Sequence, residues 1–419
     1  MKKKNIVFIV AIILSVLIAV ITLFFRYQNE KSQTILNLSM DQKLSDFDEL
    51  CDILSNSYPF WNEVKQAGID RDTVYSTYRN RIQKTRTDIE YFKEISYFLK
   101  EFKGLGHLVV LDGSMYRLYL NTLTASQGML TEGQTQSVEP LVAALTNPTA
   151  QNTYSLLDQS HRGFRSTIGL KEEYKNTETA DQAEKTSALT TSIFEDKKAA
   201  YLKIQSFELT NYEKDKDVLT KFFVEIKDIP NLIIDLRGNS GGSDLYWKDL
   251  LIQPNTKESL SSDRYYVFNQ TETTLPYVSA IGRSVDIIDT EKEPILSQYA
   301  DSFSHFIKDT TAFEPAANSY KGKIWILVDE DVYSASENFV IFCKNTGFAT
   351  LVGTATGGDG GIADPILVTL PNSGLIVRYS MFYGLNADGS GNEAIGTVPD
   401  VVISENENAL DKCLSLLDH

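Results

Sequence analysis

The stretch that decides the fold is a short apolar run followed by a turn and a helix, Lys323-Ile-Trp-Ile-Leu-Val-Asp-Glu-Asp-Val-Tyr-Ser-Ala-Ser-Glu-Asn-Phe-Val-Ile-Phe-Cys-Lys-Asn-Thr-Gly347. The unbroken apolar run over 324–328 is typical of a strand that is covered on both faces. Ser334 begins the helix, and Gly347 can end it in a left-handed cap. The pattern predicts that Ser334 lies at the carboxyl edge of a sheet and at the positive end of a helix.

Two interpretations of Ser334 follow from this position. Nucleophilic serines use it, because free N–H groups at a helix N-terminus stabilise a developing oxyanion. The segment Ser334-Ala-Ser-Glu337 is also a formal capping box, in which the Ser and Glu side chains each satisfy a backbone N–H. This stretch alone leaves both interpretations open.

The carboxy-terminal half alternates between strand and helix patterns. Its strand-like runs are 199–207, 232–237, 324–328 and 349–352. Such alternation predicts crossover helices and a mostly parallel sheet. A hairpin is expected further on, with strands 366–370 and 375–379 joined by Pro371-Asn-Ser-Gly374. The fold class is therefore α/β with an antiparallel appendage.

The amino-terminal half predicts a helical subdomain. Apolar spacing indicates three helices, the last opened by a Thr87-Asp-Ile-Glu90 capping box and ended by Gly104 and Gly106. A strand over His107-Leu-Val-Val-Leu111 is expected to follow. Residues 112–195 are less informative, and the polar stretch 171–191 predicts a loop.

Charge and the amino terminus suggest a location. The net charge is −16, which excludes nucleic acid as an expected partner because phosphate contacts need clustered Lys and Arg. Met1-Lys-Lys-Lys4 precedes an apolar stretch over 6–25. About 20 apolar residues span a bilayer core, so this stretch predicts a single transmembrane helix. The lysines place the amino terminus in the cytoplasm, and the body is expected outside a single-pass cell-membrane anchor.

Cysteine and histidine usage predicts neither a disulfide framework nor a metal site. Cys51 and Cys343 fall on apolar faces of predicted helices, as buried thiols do, and Cys413 is the third cysteine. The four histidines lie far apart without paired-ligand spacing.

Three further segments stand beside Ser334 as candidates for chemistry. In Asp235-Leu-Arg-Gly-Asn-Ser-Gly-Gly242, glycine N–H groups could face a developing negative charge, or the glycines could simply form a tight turn. His107 is either a catalytic or a structural histidine. The segment Asn392-Glu-Ala-Ile-Gly-Thr-Val-Pro-Asp400 reads alone as a surface loop.

Together with Gly353-Thr-Ala-Thr-Gly-Gly-Asp-Gly360, these segments resemble the ordered core motifs of the carboxy-terminal processing and tricorn-type serine peptidases. The resemblance covers roughly residues 45–110 and 197–404. It implies a ClpP/crotonase-like core, a peptide or protein substrate, no metal or organic cofactor, and self-assembly into a homo-oligomer.

The resemblance also implies the site residues. One branch of the family uses a Ser/Lys pair, but Asp359 stands where that Lys would be, so the tricorn-like Ser/His branch is the better match. Ser334 then aligns with the nucleophile, although Ser336 offers a second hydroxyl. His107 falls on the general base and Glu393 on the residue that orients it. The oxyanion hole is implied to consist of backbone N–H groups, those of Ala335 and of Gly241 or Gly242.

The sequence therefore predicts a membrane-anchored, extracytoplasmic serine endopeptidase with a Ser-His-Glu mechanism. The alternative is a catalytically inactive family member that binds peptides or small apolar ligands. Residues 243–320 either line a substrate groove or form a helical cover over the sheet. The expected organisation comprises a cytoplasmic start and transmembrane anchor over 1–30, a stalk and helical subdomain over 31–106, a middle region without a clear PDZ module over 107–196, and a peptidase core over 197–419.

Overall fold

The structure is a computed structural model that describes residues 35–126, 132–160, 189–404 and 406–417. The chain forms two compact units. The first comprises Met1–Lys175 and Ile366–Tyr379, and the second comprises Asn176–Pro365 and Ser380–His419.

The first unit is mainly helical. The three helices expected before residue 104 are present, and the capping box at Thr87 forms as predicted. The helices of this unit are α1 (Met40–Ser57), α2 (Trp61–Gln66), α3 (Arg71–Ile82), α4 (Asp88–Lys100), α5 (Gly113–Ser126), α6 (Glu132–Leu145) and α7 (Pro148–Ser160). Apolar faces of α1 and α4 pack together, with the Phe47 and Phe98 rings edge-to-face and 5.0 Å apart.

A small antiparallel sheet completes this unit. The predicted hairpin is confirmed as β10 (Ile366–Thr369) and β11 (Ile376–Tyr379), and β11 also pairs with β1 (Val109–Val110). The strand expected over 107–111 is shorter than predicted, because Leu105–His107 form a turn of 3₁₀ helix. The loop expected over 171–191 lies largely outside the described residues, but its end enters a strand at Leu189.

The second unit contains the predicted mostly parallel sheet. Its order is β13–β9–β8–β4–β3–β2, and every neighbouring pair is parallel except β2–β3. The strands are β2 (Leu189–Phe194), β3 (Ala199–Ile204), β4 (Asn231–Asp235), β8 (Lys323–Val328), β9 (Thr350–Gly353) and β13 (Val401–Val402). The helices of the unit are α8 (Tyr212–Glu225), α9 (Asp244–Trp247), α10 (Leu275–Ala280), α11 (Ala335–Thr346), α12 (Asn392–Ile395) and α13 (Ala409–Leu416).

Apolar side chains project from both faces of this sheet, which explains the unbroken apolar run of β8. Ile326 joins a core with Phe339 of α11. Its neighbours Trp325 and Leu327 join a second core with Cys413 of α13. The predicted burial of Cys51 and Cys343 is confirmed, and Cys413 is also buried and free.

Residues 243–320 do not form the helical cover considered above. They supply three strands of an antiparallel sheet of order β12–β5–β7–β6, in which β5 and β7 pair over nine residues each. The strands are β5 (Leu260–Phe268), β6 (Asp286–Ile287), β7 (His305–Phe313) and β12 (Tyr383–Gly384). Alternating side chains along β5 include Ser262, Arg264 and Tyr266, all three of them buried.

The prediction of a transmembrane helix is wrong. Across the described residues, no helix combines the length and the apolar character that crossing a membrane requires. The stretch 6–25, to which the sequence assigned that helix, lies outside those residues. The single-pass membrane location drawn from it is withdrawn as well.

Candidate active site

The turn between β8 and α11 holds Ser334 in an unusual backbone conformation. Its φ is 57° and its ψ is −122°, where a residue with a side chain is strained by about 1–3 kcal/mol. The Ser334 N–H donates to the Gly358 carbonyl at 3.1 Å, and the side chain is half-buried. The strand thus delivers Ser334 directly to the N-terminus of α11, where helix dipole and backbone N–H groups favour negative charge.

The capping-box interpretation of this segment is wrong. The Ser334 side chain makes no capping hydrogen bond, and its φ lies outside the extended region that N-cap residues adopt. The Glu337 carboxylate accepts hydrogen bonds from Asn392 Nδ2 and Thr397 Oγ1, both at 2.6 Å. The Ser334 hydroxyl is therefore not used to begin the helix.

The glycine turn after β4 packs against the Ser334 turn. Gly241 has a φ of 107°, and a Cβ placed on it would lie 2.8 Å from the Tyr333 carbonyl oxygen and 3.0 Å from the Ala335 nitrogen. Only glycine permits this approach without displacing the Ser334 turn. The structure thus places Gly241 against Ser334 and Ala335, and Gly242 follows it in the same turn.

Asn239 holds the two turns together. Its Oδ1 accepts the Gly241 N–H at 3.0 Å and the Ser336 hydroxyl at 2.8 Å, and its Nδ2 donates to the Ile204 carbonyl at 3.1 Å. The Gly241 N–H is thereby occupied. Among the described residues, the N–H groups of Gly242 and Ala335 have no acceptor, so both are available to an anion.

Glu393 lies beside the same turn through Tyr333. The Tyr333 hydroxyl is 3.3 Å from each Glu393 carboxylate oxygen. Burial, and then the charges of Asp359 and Glu393, raise the pKa of Tyr333 far above its ordinary value. Tyr333 therefore stays protonated and donates to Glu393 across the accessible pH range.

His107 belongs to the first compact unit, where it closes the 3₁₀ turn with a φ of 61°. Gly106 before it lies against an aromatic ring, since a Cβ at that position would come 2.0 Å from Phe60 Cε2. The Tyr58 hydroxyl donates to the Leu105 carbonyl at 2.8 Å. Packing beneath the turn thus fixes the backbone that carries the imidazole.

Comparison with known proteins decides the family. Residues 198–403 match the sequence profile of peptidase family S41. The chain belongs to this family of serine peptidases. Its matched segment contains Ser334, Glu393 and both glycines of the turn, whereas His107 lies before it.

Solved structures support the same fold for this S41 peptidase. A candidate peptidase from Parabacteroides merdae is 19% identical, with a TM-score of 0.55, over 90% of this chain and 96% of that one. Mature CPAF complexed with lactacystin is 14% identical, with a TM-score of 0.50, over 90% of this chain and 97% of that one. No curated protein matches the sequence.

Sequence reasoning missed four residues that build the site of this S41 peptidase. Asn239 and Tyr333 lie inside the quoted motifs without an expected role, and Asn392 directly precedes Glu393. Glu337 was assigned to a cap, although it is fully buried and bonded to Asn392. The usable signal was a polar residue within a glycine-rich turn, where a side chain must satisfy backbone N–H groups.

Proposed function

We propose that this S41 peptidase is an endopeptidase in which Ser334 attacks the peptide carbonyl carbon. His107 accepts the Ser334 proton and returns it to the leaving amine, and Glu393 orients and stabilises the imidazolium. The N–H groups of Ala335 and Gly242 bind the oxyanion of the tetrahedral intermediate. The proposal requires His107 to act on Ser334, and the experiment below tests that requirement.

The conformation of Ser334 carries the proposal. It combines a strained left-handed φ with a place at the start of a buried helix, and its side chain serves no cap. Among the described residues, six non-glycine residues have a left-handed φ, and His107, Ser334 and Asp359 are three of them. Strained backbone is retained where a side chain must be aimed, so its presence at predicted site residues supports a catalytic arrangement.

Ser334 is a better nucleophile candidate than Ser336. The Ser336 side chain is fully buried and its hydroxyl donates to Asn239 Oδ1 at 2.8 Å. Ser334 is half-buried, and its hydroxyl precedes the helix rather than pointing into the core hydrogen-bond network. A substrate carbonyl needs access to the nucleophile, and only Ser334 offers it.

The decisive experiment is labelling of the full chain with a fluorophosphonate probe, which reacts with activated serines. We expect the parent protein to be labelled and Ser334→Ala and His107→Ala to lose labelling. Ser336→Ala is the matched control and should keep most of it. Lactacystin, which is complexed with mature CPAF in the structure above, serves as a competitor in the same assay.

Each other outcome has a definite meaning. Labelling that is lost in Ser334→Ala but kept in His107→Ala would contradict the role of His107. Labelling that depends on Ser336 would contradict the nucleophile. A folded parent protein that neither reacts nor cleaves peptides would favour the inactive, ligand-binding member of the family.

A further inference from the structure

A buried arginine lines a cavity beside α11 that the proposed mechanism does not use. Arg264, in the middle of β5, is 9% exposed. The cavity has a volume of about 40 Å³, and its lining also includes Asn338 and Gly361. A single water needs roughly 10–15 Å³, so the space fits a group of a few heavy atoms.

The Arg264 guanidinium lies over the Tyr266 ring, with 4.9 Å from Cζ to the ring centroid, but most of its hydrogen-bonding capacity is unused. Its Nη1 donates to Asn338 Oδ1 at 2.5 Å, and its remaining two nitrogens have no hydrogen-bond acceptor in the described part of the chain. Within those residues, no carboxylate lies within ion-pair distance of it. A buried guanidinium charge with few hydrogen-bond partners is costly, so an external anion would stabilise it.

The acidic residues around the cavity are already paired. Asp309 lies directly opposite Arg264 in the β5–β7 ladder, yet its carboxylate binds Arg283 at 3.0 Å. Asp244 pairs with Lys248 at 3.3 Å. These pairs cancel, which leaves Arg264 as the remaining positive charge of the lining; the Glu337 carboxyl group, which lies outside the lining, also interacts with that charge.

The cavity adjoins the nucleophile turn within the same compact unit. The Asn338 N–H donates to the Ser334 carbonyl at 3.0 Å, so Asn338 lies one helical turn, about 6 Å along the axis, from Ser334. Asn338 Nδ2 also donates to the Gly361 carbonyl at 2.8 Å, in the loop whose Gly358 binds the Ser334 N–H. An extended peptide advances about 3.3 Å per residue, so residues of a peptide bound at Ser334 can reach the cavity.

We infer that Arg264 forms a subsite for a carboxylate of the bound peptide, close to the bond that is cleaved. A carboxylate accepts two parallel N–H bonds from a guanidinium, which matches the two unsatisfied nitrogens. The carboxylate comes either from an Asp or Glu side chain or from the peptide's C-terminus. This inference rests on the proposed function for its placement near the scissile bond.

The test for substrate preference uses a mixture of proteome-derived peptides that contains no active trypsin. Mass spectrometry identifies the cleavage sites. We expect the parent to cleave preferentially at sites with a carboxylate at one fixed position. In Arg264→Met, the ratio of cleavage with that carboxylate to cleavage without it should fall at least tenfold. Preference for Asp or Glu at an internal position identifies a side chain. Cleavage at a fixed distance from the C-terminus that C-terminal amidation abolishes identifies the terminal carboxylate.

Two controls keep the inference separable from the proposed function. Lys308→Met removes a cation from the neighbouring strand that is paired with Asp263 at 3.1 Å, and it should leave the preference unchanged. Fluorophosphonate labelling of Arg264→Met should persist, because Arg264 takes no part in activating Ser334. A parent that is labelled and cleaves without any carboxylate preference overturns the inference and leaves the proposed function intact.

A binding measurement decides the inference even if the chain proves inactive. In Ser334→Ala, titration with the dipeptide N-acetyl-Ala-Glu amide should raise the melting temperature, whereas the Gln counterpart should not. Arg264→Met should abolish that shift and Lys308→Met should retain it. The subsite would be refuted if the Glu and Gln peptides shifted the melting temperature equally and a dipeptide with a free C-terminus gave no shift.

Discussion

The Ser334 turn and the His107 turn each hold a non-glycine residue at a left-handed φ, with different contacts around it. Both present a non-glycine residue with a left-handed φ, 57° at Ser334 and 61° at His107. Hydrogen bonds through Asn239 and to Gly358 fix the first. The second has a glycine pressed against the Phe60 ring, together with a hydrogen bond from the Tyr58 hydroxyl to the Leu105 carbonyl.

Under the proposed mechanism, the two turns have different tasks. The Ser334 turn would aim a hydroxyl and backbone N–H groups at one carbonyl, and hydrogen bonds are directional enough to do so. The His107 turn must place only an imidazole, whose side-chain torsions can complete its orientation. Packing against an aromatic ring sets such a backbone position well but tolerates small adjustments.

Asn239→Ala should produce the largest effect, because it breaks the hydrogen-bonded turn. It removes the acceptor of Gly241 N–H and Ser336 Oγ and leaves buried polar groups unsatisfied. Two such groups at about 1–3 kcal/mol each predict a loss of roughly 4 kcal/mol in the free energy of unfolding. We also expect kcat/KM to fall by about 10²-fold, because the oxyanion donors move.

Urea unfolding and peptide hydrolysis check this prediction. Asn269→Ala is the matched control, since Asn269 also bridges two backbone groups, accepting from Ser304 N–H and donating to the Ser302 carbonyl. It should lose stability without losing activity per folded molecule. If Asn239→Ala kept full activity, hydrogen bonds would not be what aims the Ser334 turn.

Gly106→Ala should break the packed turn. The added methyl would lie 2.0 Å from Phe60 Cε2, at a residue whose φ of 54° already disfavours a side chain. Overpacking and the left-handed backbone together predict a loss of about 3 kcal/mol in the free energy of unfolding. Denaturant unfolding measures it.

A second substitution distinguishes packing from other causes. Phe60→Leu in the Gly106→Ala background should recover part of the lost stability, because the methyl then has room. The same rescue should not occur for Asn239→Ala, whose defect is unsatisfied hydrogen bonding. A failure of Phe60→Leu to rescue would argue that the left-handed φ alone determines the cost.

Local patterns predicted the second unit's main sheet and its Ser334-bearing turn well. The strand β8 can be recognised in the sequence by its unbroken apolar run, because both of its faces are covered, by α11 and α13. The strand β5 was missed for the opposite reason. It alternates Ser262 and Arg264 with exposed residues, so its buried face is partly polar and gives no apolar period.

The candidate site was predictable where a glycine in the sequence indicates the backbone conformation, as at Gly241. It was not predictable where long-range hydrogen bonds reassign a side chain. Glu337 fitted a local capping rule, yet its carboxylate bonds to Thr397, 60 residues away. Tertiary hydrogen bonds overrode the local preference, and the spacing of residues in the sequence does not predict them.

Tyr333→Phe should have a smaller effect on the Ser334 turn. It removes the hydroxyl shared by both Glu393 oxygens at 3.3 Å, a long hydrogen bond worth about 1 kcal/mol. We expect kcat/KM to fall about fivefold. Because burial and the neighbouring carboxylates raise the pKa of Tyr333, the alkaline limb of the pH–rate profile should stay where it is.

The matched control is Tyr201→Phe, which removes a hydroxyl bonded to Asp235 at 2.7 Å within the sheet. It should cost stability without changing catalysis. An alkaline limb that disappears in Tyr333→Phe would show that this phenol titrates during turnover and would contradict the expected protonation state.

Glu337→Gln should have the smallest effect and the clearest pH signature. Burial raises the pKa of Glu337, in opposition to hydrogen bonds from Thr356, Thr397 and Asn392. A raised pKa means that the folded state holds the proton more tightly, so parental stability falls as the pH rises above the ordinary Glu pKa. Gln keeps an amide oxygen for Asn392 and Thr397 but cannot ionise. Its stability deficit, roughly 1 kcal/mol, should therefore be largest near pH 4 and shrink towards pH 8.

Glu407→Gln provides a control with the opposite sign. Hydrogen bonds from Ser404 lower the pKa of Glu407, so its contribution is present above the ordinary Glu pKa and is lost as the pH falls. Urea unfolding at pH 4, 6 and 8 should then show the two deficits moving in opposite directions. A Glu337→Gln deficit that grows with pH would mean that the buried carboxylate stabilises the network as an anion. The Ser334 turn would then depend on charge as well as on hydrogen bonds.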